Sequence, residues 1–529
     1  MANLDNLSAR RQKAMGTLQE WRSILDKTYR YAAPNSNVWR DSGSPGSKTT
    51  DKGGNVFTDV YDLTLVQATQ GLVNKLINSL IPQYQEWVTF VPGTDIEPEF
   101  EDEVARELQK LTKKFFSYID NSAFYTASAE AFTDFAISTG ALQINEGDDD
   151  EPLVFASIPS NCIAYEAGVD GSFRGFFRDF IGISVDEIES FWPEGNVSAE
   201  VRRMGRDSSG GNSKQIHVVE ATTFDYKNKT WETTIYEENL KSEIFETVEE
   251  FPAFVAFRWN RRSGEVLGRG PAMDAMPASA SLNEAMKDEL IAAAFRANPM
   301  YVAYTDAMVN YENFVVGPGA ILPVRPSSAG AFPFAPIPMA GDINFGILVA
   351  QELREQINKM MLSAPLGPIN TPRGTATEAT LRQLEMTENA AASITRIERE
   401  FLSPTINRIL FILKKRGLWP DIKVNGKVVA VKYETPLTAS RGQKEVEKLA
   451  TYFQVLAGIV GPELAAASMK VEKIPSFIAQ NIEASLELVK TEREILEDIK
   501  KMQEAQELAA EGQEGTEQPG GIVPPEQEI

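Results

Sequence analysis

The chain has 529 residues, 43% of them hydrophobic and 24% charged, the balance of a folded globular protein long enough for three or four units. Its 52 basic residues stand against 75 acidic ones, a formal charge of −23, which excludes a protein that grips phosphate over a broad face. Cys162 and His217 are the only residues of their kinds, so an internal disulfide and a zinc site of several Cys and His ligands are excluded too. No apolar run reaches the about 18 residues of a membrane helix, and the first residues lack a signal-peptide pattern; the expectation is a soluble protein that stays where it is made.

In chain order, residues 3–32 carry Leu4, Leu7, Leu18, Trp21, Leu25 and Tyr29 at helical spacing and run up to Pro34, which predicts an amphipathic helix. Residues 42–54, rich in Ser, Gly, Lys and Thr, predict a loop. Further helices are expected over 58–80, around Val104, Leu108, Leu111 and Phe115, and around Phe124, Phe132 and Phe135. The period then becomes extended. Residues 141–145 and 153–158 flank the acidic turn 146–151 as a hairpin, and 216–226 with 231–236 flank 227–229 as a second. Ser184 and Glu187 form a capping box for a short helix that stops at Pro193. The N-terminal half reads as α+β, helices before strands.

The stretch 257–302 organises the rest of the chain. A short apolar strand, 254–259, enters a Gly- and Arg-rich turn, and Pro271 then suits the first turn of a helix that Pro299 ends. Leu282, Met286, Leu290, Ala293 and Ala297 form its narrow stripe, and Pro277 predicts a kink or a late start. Residues 300–342 predict short strands at 301–304, 314–316 and 320–324. A helix returns over 343–362, with Phe345, Ile347, Leu348, Leu353, Ile357 and Met361 as its apolar positions. Three prolines in 363–374 forbid a helix there; read from the residues, this is a surface linker or a functional loop. The capping box Thr375–Glu378 opens a long helix that Pro404 is expected to bend and Gly417 to stop. A hairpin is expected over 422–433 around Asn425-Gly426, then helices over 443–458, 462–469 and 474–503. From Glu483 on, 13 acidic residues face 4 basic ones, so the end is expected to be disordered.

The candidate chemistry is thin. Residues 43–50 glance at a phosphate loop, but Ser47 precedes Lys48 and no apolar strand leads in, so a plain loop is favoured. Gly264–Gly270 precedes a helix but lacks a dinucleotide fingerprint; Arg261, Arg262 and Arg269 are better suited to bridging carboxylates. Asp148–Glu151 lacks the alternate ligand spacing of a calcium loop and reads as a solvated turn. His217, on an apolar–polar strand, reads as a buried or edge histidine. No catalytic, cofactor or metal-binding residue is expected, and the chain is expected to be no enzyme.

Trp259 and Arg261, Gly264-Glu265, Gly268-Arg269-Gly270-Pro271, Asp274-Ala275 and Leu282-Asn283 together resemble the central signature of the head-to-tail connector (portal) proteins of short-tailed phages. Leu267 departs from it, standing where an aromatic is expected. The order of elements resembles that family over about residues 55–420. The resemblance implies a mostly helical α+β portal-type subunit with wing, stem, clip and crown regions, closing into a ring, usually of twelve, around a central channel. It implies a wing over 1–260, the turn and first stem helix over 261–298, a clip over 299–342 and a second, antiparallel stem helix over 343–362. A tunnel loop over 363–376, a long helix returning to the wing over 377–440, a helical crown over 441–505 and an acidic tail over 506–529 complete it.

By the same resemblance, Pro365, Pro368, Asn370, Thr371 and Arg373 lie near DNA, and Lys287, Glu289, Arg296 and Lys359 lie on the stem beside the channel. Trp259, Arg261, Glu265, Gly268, Arg269, Gly270 and Pro271 are the structural signature. The implied partners are double-stranded DNA passing non-specifically, the major capsid and scaffolding proteins, the large terminase subunit, tail adaptor proteins and internal core proteins. The implied location is the portal vertex of the virion, with the host cytoplasm during assembly. Two other classes stay open: an acidic helical scaffold without ring assembly, and a metal-dependent nuclease using Asp148–Glu151.

Overall fold

The computed structural model describes residues 4–39, 59–93, 96, 101–206, 215–304, 317–324, 334–337, 343–362, 393–420, 429–433, 436–461, 465 and 473–481, with a few isolated positions beyond. In chain order the elements are α1 (Leu4–Ala32), α2 (Thr64–Leu80), β1 (Val88–Pro92), α3 (Glu101–Asp120), α4 (Phe124–Ile137), β2 (Thr139–Glu146), β3 (Leu153–Ser157), β4 (Ile163–Ala167) and β5 (Phe173–Ile183). Then come α5 (Val185–Phe191), α6 (Ala199–Met204), β6 (Ile216–Asp225), β7 (Thr230–Glu237), β8 (Ser242–Glu249), β9 (Phe254–Arg258), α7 (Pro271–Ala297), β10 (Tyr301–Tyr304), β11 (Ile321–Val324) and β12 (Phe334–Pro336). Last are α8 (Ile343–Met360), a π-turn (Glu398–Leu402) leading into α9 (Ser403–Lys415), β13 (Val429–Tyr433), α10 (Pro436–Val460) and α11 (Ile474–Asn481). The class is α+β, and the chain divides into two units, Met1–Asn78 with Tyr118–Pro420, and Ser79–Ser117 with Asp421–Ile529.

Among the described residues the first unit holds three sheets, the smallest being β11-β10-β12 beyond α7. Strands β4-β5-β6-β7-β8 form an antiparallel meander, and β3-β2-β9 a second antiparallel sheet with Thr139 opposite Arg258 and Leu142 opposite both Ser157 and Val255. The apolar alternation of β6 and β7 packs one end of the meander against α5 and α6 through Ile183, Val185, Ile188, Val201, Val218 and Ile235. The predicted capping box is present: Ser184 Oγ accepts from the N–H of Glu187 while the Glu187 carboxylate accepts from the N–H of Ser184. On the smaller sheet an aromatic core gathers, with Phe257 4.7 Å from Phe401 and 5.2 Å from both Phe132 and Phe135, centroid to centroid.

Helix α1 is strapped over this body by charge as well as by its apolar stripe. Arg11 forks onto Asp179 of β5 and reaches Glu238 at 3.0 Å, Ser8 donates to Glu238, and Arg10 forks onto Glu166 of β4. His217 lies in this cluster, its Nε2 3.5 Å from Asp179. At the far end of α1 a chain of donors runs inward: Trp39 Nε1 to Ser160 Oγ, Ser160 to the Tyr29 hydroxyl, and Tyr29 to the buried Asp134 carboxylate. Burial, opposed by those bonds, pushes the Asp134 carboxyl up to about 7.

In the second unit β1 pairs antiparallel with β13, Phe90 opposite Val431. Helix α3 covers β1, with Trp87 edge-on to Phe116 and Phe90 edge-on to Phe115, both at 5.5 Å. Helices α10 and α11 pack together.

Several expectations are corrected. Helix α2 begins at Thr64 rather than residue 58, because Asp62 accepts the N–H of Thr64 and stops the helix there. Strand β13 pairs with β1, some 340 residues earlier; the first arm and the turn of the hairpin expected over 422–433 lie outside the described residues. Strands β1, β4, β5, β8 and β12 and helix α6 are additions that periodicity did not reveal. Helix α7 starts at Pro271 and runs through Pro277, with no late start. At Pro404, where a bend is expected, a π-turn precedes the proline: Ser403 N–H bonds the carbonyl of Glu398, five residues back. The expected elements at 43–50, 314–316, 375–392 and 506–529 lie outside the described residues.

Candidate functional site

The signature turn is a backbone packed against backbone. Gly268 N–H donates to Thr139 Oγ1 at 2.8 Å and its carbonyl accepts from Ser138 Oγ at 2.9 Å, while Gly270 N–H donates to the carbonyl of Ile137 at 3.0 Å. A Cβ on Gly268 would lie 2.6 Å from the Ser138 carbonyl oxygen, and one on Gly270 only 2.1 Å from that of Ala136. Neither glycine needs a positive φ; close approach to the end of α4 is what excludes a side chain. The Gly-rich turn is therefore filled by this chain's own backbone.

Its arginines hold it closed. Arg269 forks onto Glu265 at 2.8 and 2.9 Å, bridges to Asn260 through the backbone and lies 4.8 Å over the Trp21 ring of α1. The Arg269 hydrogen bond holds the Glu265 carboxyl below the usual carboxylate range. Arg258, 2% exposed, reaches in four directions: its side chain forks onto Glu400, donates to the carbonyls of Val266 and Gly171, and stacks over Phe173 at 4.1 Å. The Arg261 guanidinium occupies the space where a Cβ on Gly171 would stand, Arg262 is exposed, and Trp259 packs edge-on against Phe135 at 5.8 Å. The expected pairing of arginine with carboxylate thus holds for Arg269.

From Pro271 the turn launches α7, which packs along α8. Both faces of the junction are tied to the start of α2. Asn283 receives the N–H of Tyr61 at 2.6 Å and donates to the carbonyl of Asp59 at 2.9 Å, and Arg354 of α8 pairs with Asp62 at 2.8 Å and reaches the Met286 sulfur at 3.3 Å. Burial opposes ionisation of Asp62, but the bonds from Thr64 and Arg354 hold its carboxyl below the ordinary range. At the other end of α8, Lys75 Nζ donates to the carbonyl of Leu362 at 2.8 Å.

Beyond Asn283 the helix pair changes character. No residue of α7 from Glu284 onward is fully buried, and α8 buries only Ala350 and Ile357 among its described side chains, with Met361 just past its end. Leu290, Ile291, Ile347 and Leu348 are 53%, 46%, 40% and 63% exposed. The apolar stripe expected of α8 is therefore split: Ile357 and Met361 at its C-terminal end are buried, while Ile347 and Leu348 near its start face outward in the single chain. Of the stem residues, Lys287 and Glu289 are half-buried, with Lys287 3.7 Å from Glu284, and Arg296 and Lys359 are exposed. Pro365, Pro368, Asn370, Thr371 and Arg373 lie outside the described residues.

The acidic turn Asp148–Glu151 is occupied by this chain's own arginine. Arg416 donates to the carbonyls of Gly147 and Asp148 and to the Asp149 carboxylate at 2.6 Å, and Lys415 pairs with Glu146. Among the described residues no group of His, Cys, Asp or Glu is arranged to hold a metal ion, and no helix is long and apolar enough to cross a membrane.

Sequence reasoning missed Arg258, Glu400, Asp62, Arg354 and Lys75. Arg258 had a signal, a lone charge in the otherwise apolar run 254–259; Glu400 and Lys75 had none.

The fold and site define a mixed α+β subunit in which a backbone-packed turn anchors a helix pair to the body and leaves that pair's distal apolar surface bare. The chain belongs to the bacteriophage head to tail connecting protein family, whose profile matches residues 4–489. A comparison with curated proteins found no match. Membership makes this a head–tail connector of the phage particle, associated with capsid and tail.

Proposed function

We propose that copies of this chain close head-to-tail into a ring, of twelve subunits by family resemblance, at one capsid vertex. The ring is the conduit for double-stranded DNA during packaging and ejection and the docking platform for the terminase large subunit and then the tail. The observation that carries this reading is the bare apolar surface of Leu290, Ile291, Ile347 and Leu348 on the α7–α8 pair. Scattered exposed apolar residues are ordinary, but four exposed on one helix pair favour burial against a neighbour. A heterologous contact that closes by rotation gives a ring.

In this reading α7 and α8 are the stem, β10–β12 the clip, the segment after Leu362 the tunnel loop, α1 to β9 with α9 the wing, and the helices after 441 the crown. The −23 charge favours passage over adhesion: a wall that neutralises no phosphate releases no counterions and does not hold the duplex. The protein performs no covalent chemistry and needs no cofactor, and Asp149, the residue a metal-dependent nuclease would use, is engaged by Arg416. Its further partners are the major capsid, scaffolding, tail adaptor and internal core proteins, with assembly in the host cytoplasm.

Negative-stain imaging with mass measurement tests the assembly. The wild-type chain is expected to give rings with a central hole, and the Leu290→Glu/Leu348→Glu variant single subunits of 58.5 kDa. Solitary wild-type particles at high concentration would overturn the reading.

A further inference from the structure

The π-turn at Glu398–Leu402 and the buried Arg258 meet in one contact. Ser403 N–H bonds the carbonyl of Glu398, and Pro404, the next residue, has no N–H to offer the carbonyl of Glu400. The turn thus carries one more residue than an α-helical turn and lacks the bond that would pull it into α register. Its side chains are held individually. Phe401 enters the aromatic core 4.7 Å from Phe257 and 5.1 Å from Phe132, and the Glu400 carboxylate accepts from the backbone N–H of Arg258 at 3.1 Å and from its guanidinium at 2.6 and 3.1 Å. The same guanidinium holds the carbonyl of Val266, in the turn that launches α7, and that of Gly171, in the turn between β4 and β5.

We propose that Arg258 and Glu400 form a latch that keeps residues 398–402 in π register, linking the rotation of the helix arriving at 393–397 to the signature turn at the head of α7. An α-helix advances about 100° and 1.5 Å per residue, so loss of the extra residue from the turn rotates the incoming helix by about that angle relative to α9. A π-turn is a register choice, and here the choice is made by a charged fork whose guanidinium is buried and whose carboxylate is partly so, where hydrogen bonds to ionised groups are stronger than in water. Arg258 is a positioning residue: 2% exposed, it acts through Glu400 and Val266 inside the subunit. The latch is a property of the single subunit and stands or falls separately from ring assembly. Only its use, passing motion between the stem and the helix beyond the tunnel loop, rests on the reading above.

Hydrogen exchange on the full-length chain, followed by mass spectrometry of its peptides, tests this. Glu400→Ala is expected to speed exchange over 393–403 at least tenfold while peptides of α4 and β6 keep their wild-type rates. Pro404→Ala alone is expected to change little, because the latch still holds the turn. In the Glu400→Ala/Pro404→Ala double variant, residue 404 regains an N–H, the turn relaxes into α register and protection over 393–403 returns. Unchanged exchange in Glu400→Ala overturns the proposal. So does a rise shared equally by α4 and β6, which marks a merely structural ion pair, and so does a double variant as labile as Glu400→Ala. Should Glu400→Ala fail to fold, Glu400→Gln, which keeps an acceptor for the Arg258 N–H, is measured in the same way and is expected to give a smaller rise confined to 393–403.

Discussion

The side-chain oxygen of Asn283 accepts the backbone N–H of Tyr61 at 2.6 Å, and its amide donates two residues back to the carbonyl of Asp59. One buried amide thereby fixes the approach of the chain to α2 against the middle of α7. Asn283→Leu keeps the volume and orphans both backbone groups. Because Asp59 and Tyr61 are themselves exposed and water partly replaces the lost bonds, the expected cost is about 1–2 kcal/mol. A shift in the urea midpoint without a change in slope checks it.

Two glycines of the signature stretch separate packing from conformation. Gly264 has φ +89°, and nothing lies within 4 Å of the point where a methyl would stand, so Gly264→Ala meets only backbone strain, about 1–2 kcal/mol. Gly270 has an ordinary φ but would drive a methyl to 2.1 Å from the Ala136 carbonyl oxygen. Gly270→Ala is expected to cost more than about 3 kcal/mol and to sharply lower soluble yield, whereas Gly264→Ala stays folded. Parallel expression and thermal unfolding decide the order.

Asp134 gives a stability signature in pH. Its folded carboxyl sits at about 7, above the unfolded value of about 3.9, so between those limits the native state binds more protons than the unfolded chain. Its contribution is full below about pH 4 and is lost as pH rises through about 7. Asp134→Asn preserves the acceptor for Tyr29 and removes the proton, so the variant should lack that fall. Denaturant unfolding of both proteins between about pH 4 and about pH 8 tests the sign.

Arg11 and Asp179 show the cost of leaving one partner behind. Asp179 is 3% exposed, and Arg11→Met removes its guanidinium partner and leaves His217, 3.5 Å away, beside the charge, which is expected to cost about 3 kcal/mol. Arg11→Met/Asp179→Asn removes both charges and should be less destabilising than Arg11→Met alone. A double variant as unstable as the sum of the two singles would contradict the pairing.

Local chemistry made much of this chain readable. The Ser184 capping box, the two hairpins on either side of 146–151 and 227–229, Pro271 opening α7, Pro299 beyond its end and Gly417 with φ +69° closing α9 each depend on residues within a few positions of one another. The signature turn was visible as a string of letters for the same reason.

Its meaning was not visible. Gly268 and Gly270 are required by Ser138 and Ala136, about 130 residues earlier, and Arg258 by Glu400, 142 residues later. Strand β13 pairs with β1, some 340 residues earlier, and the acidic turn weighed as a cation site is held by Arg416, 267 residues away from Asp149. Spacing along the chain determined where helices and turns begin and end, since those depend on backbone geometry and the nearest side chains. Which charge is neutralised, which glycine is crowded and which apolar face is left bare was decided only by tertiary contact, because burial and Coulomb energy depend on distances in space that no local pattern encodes.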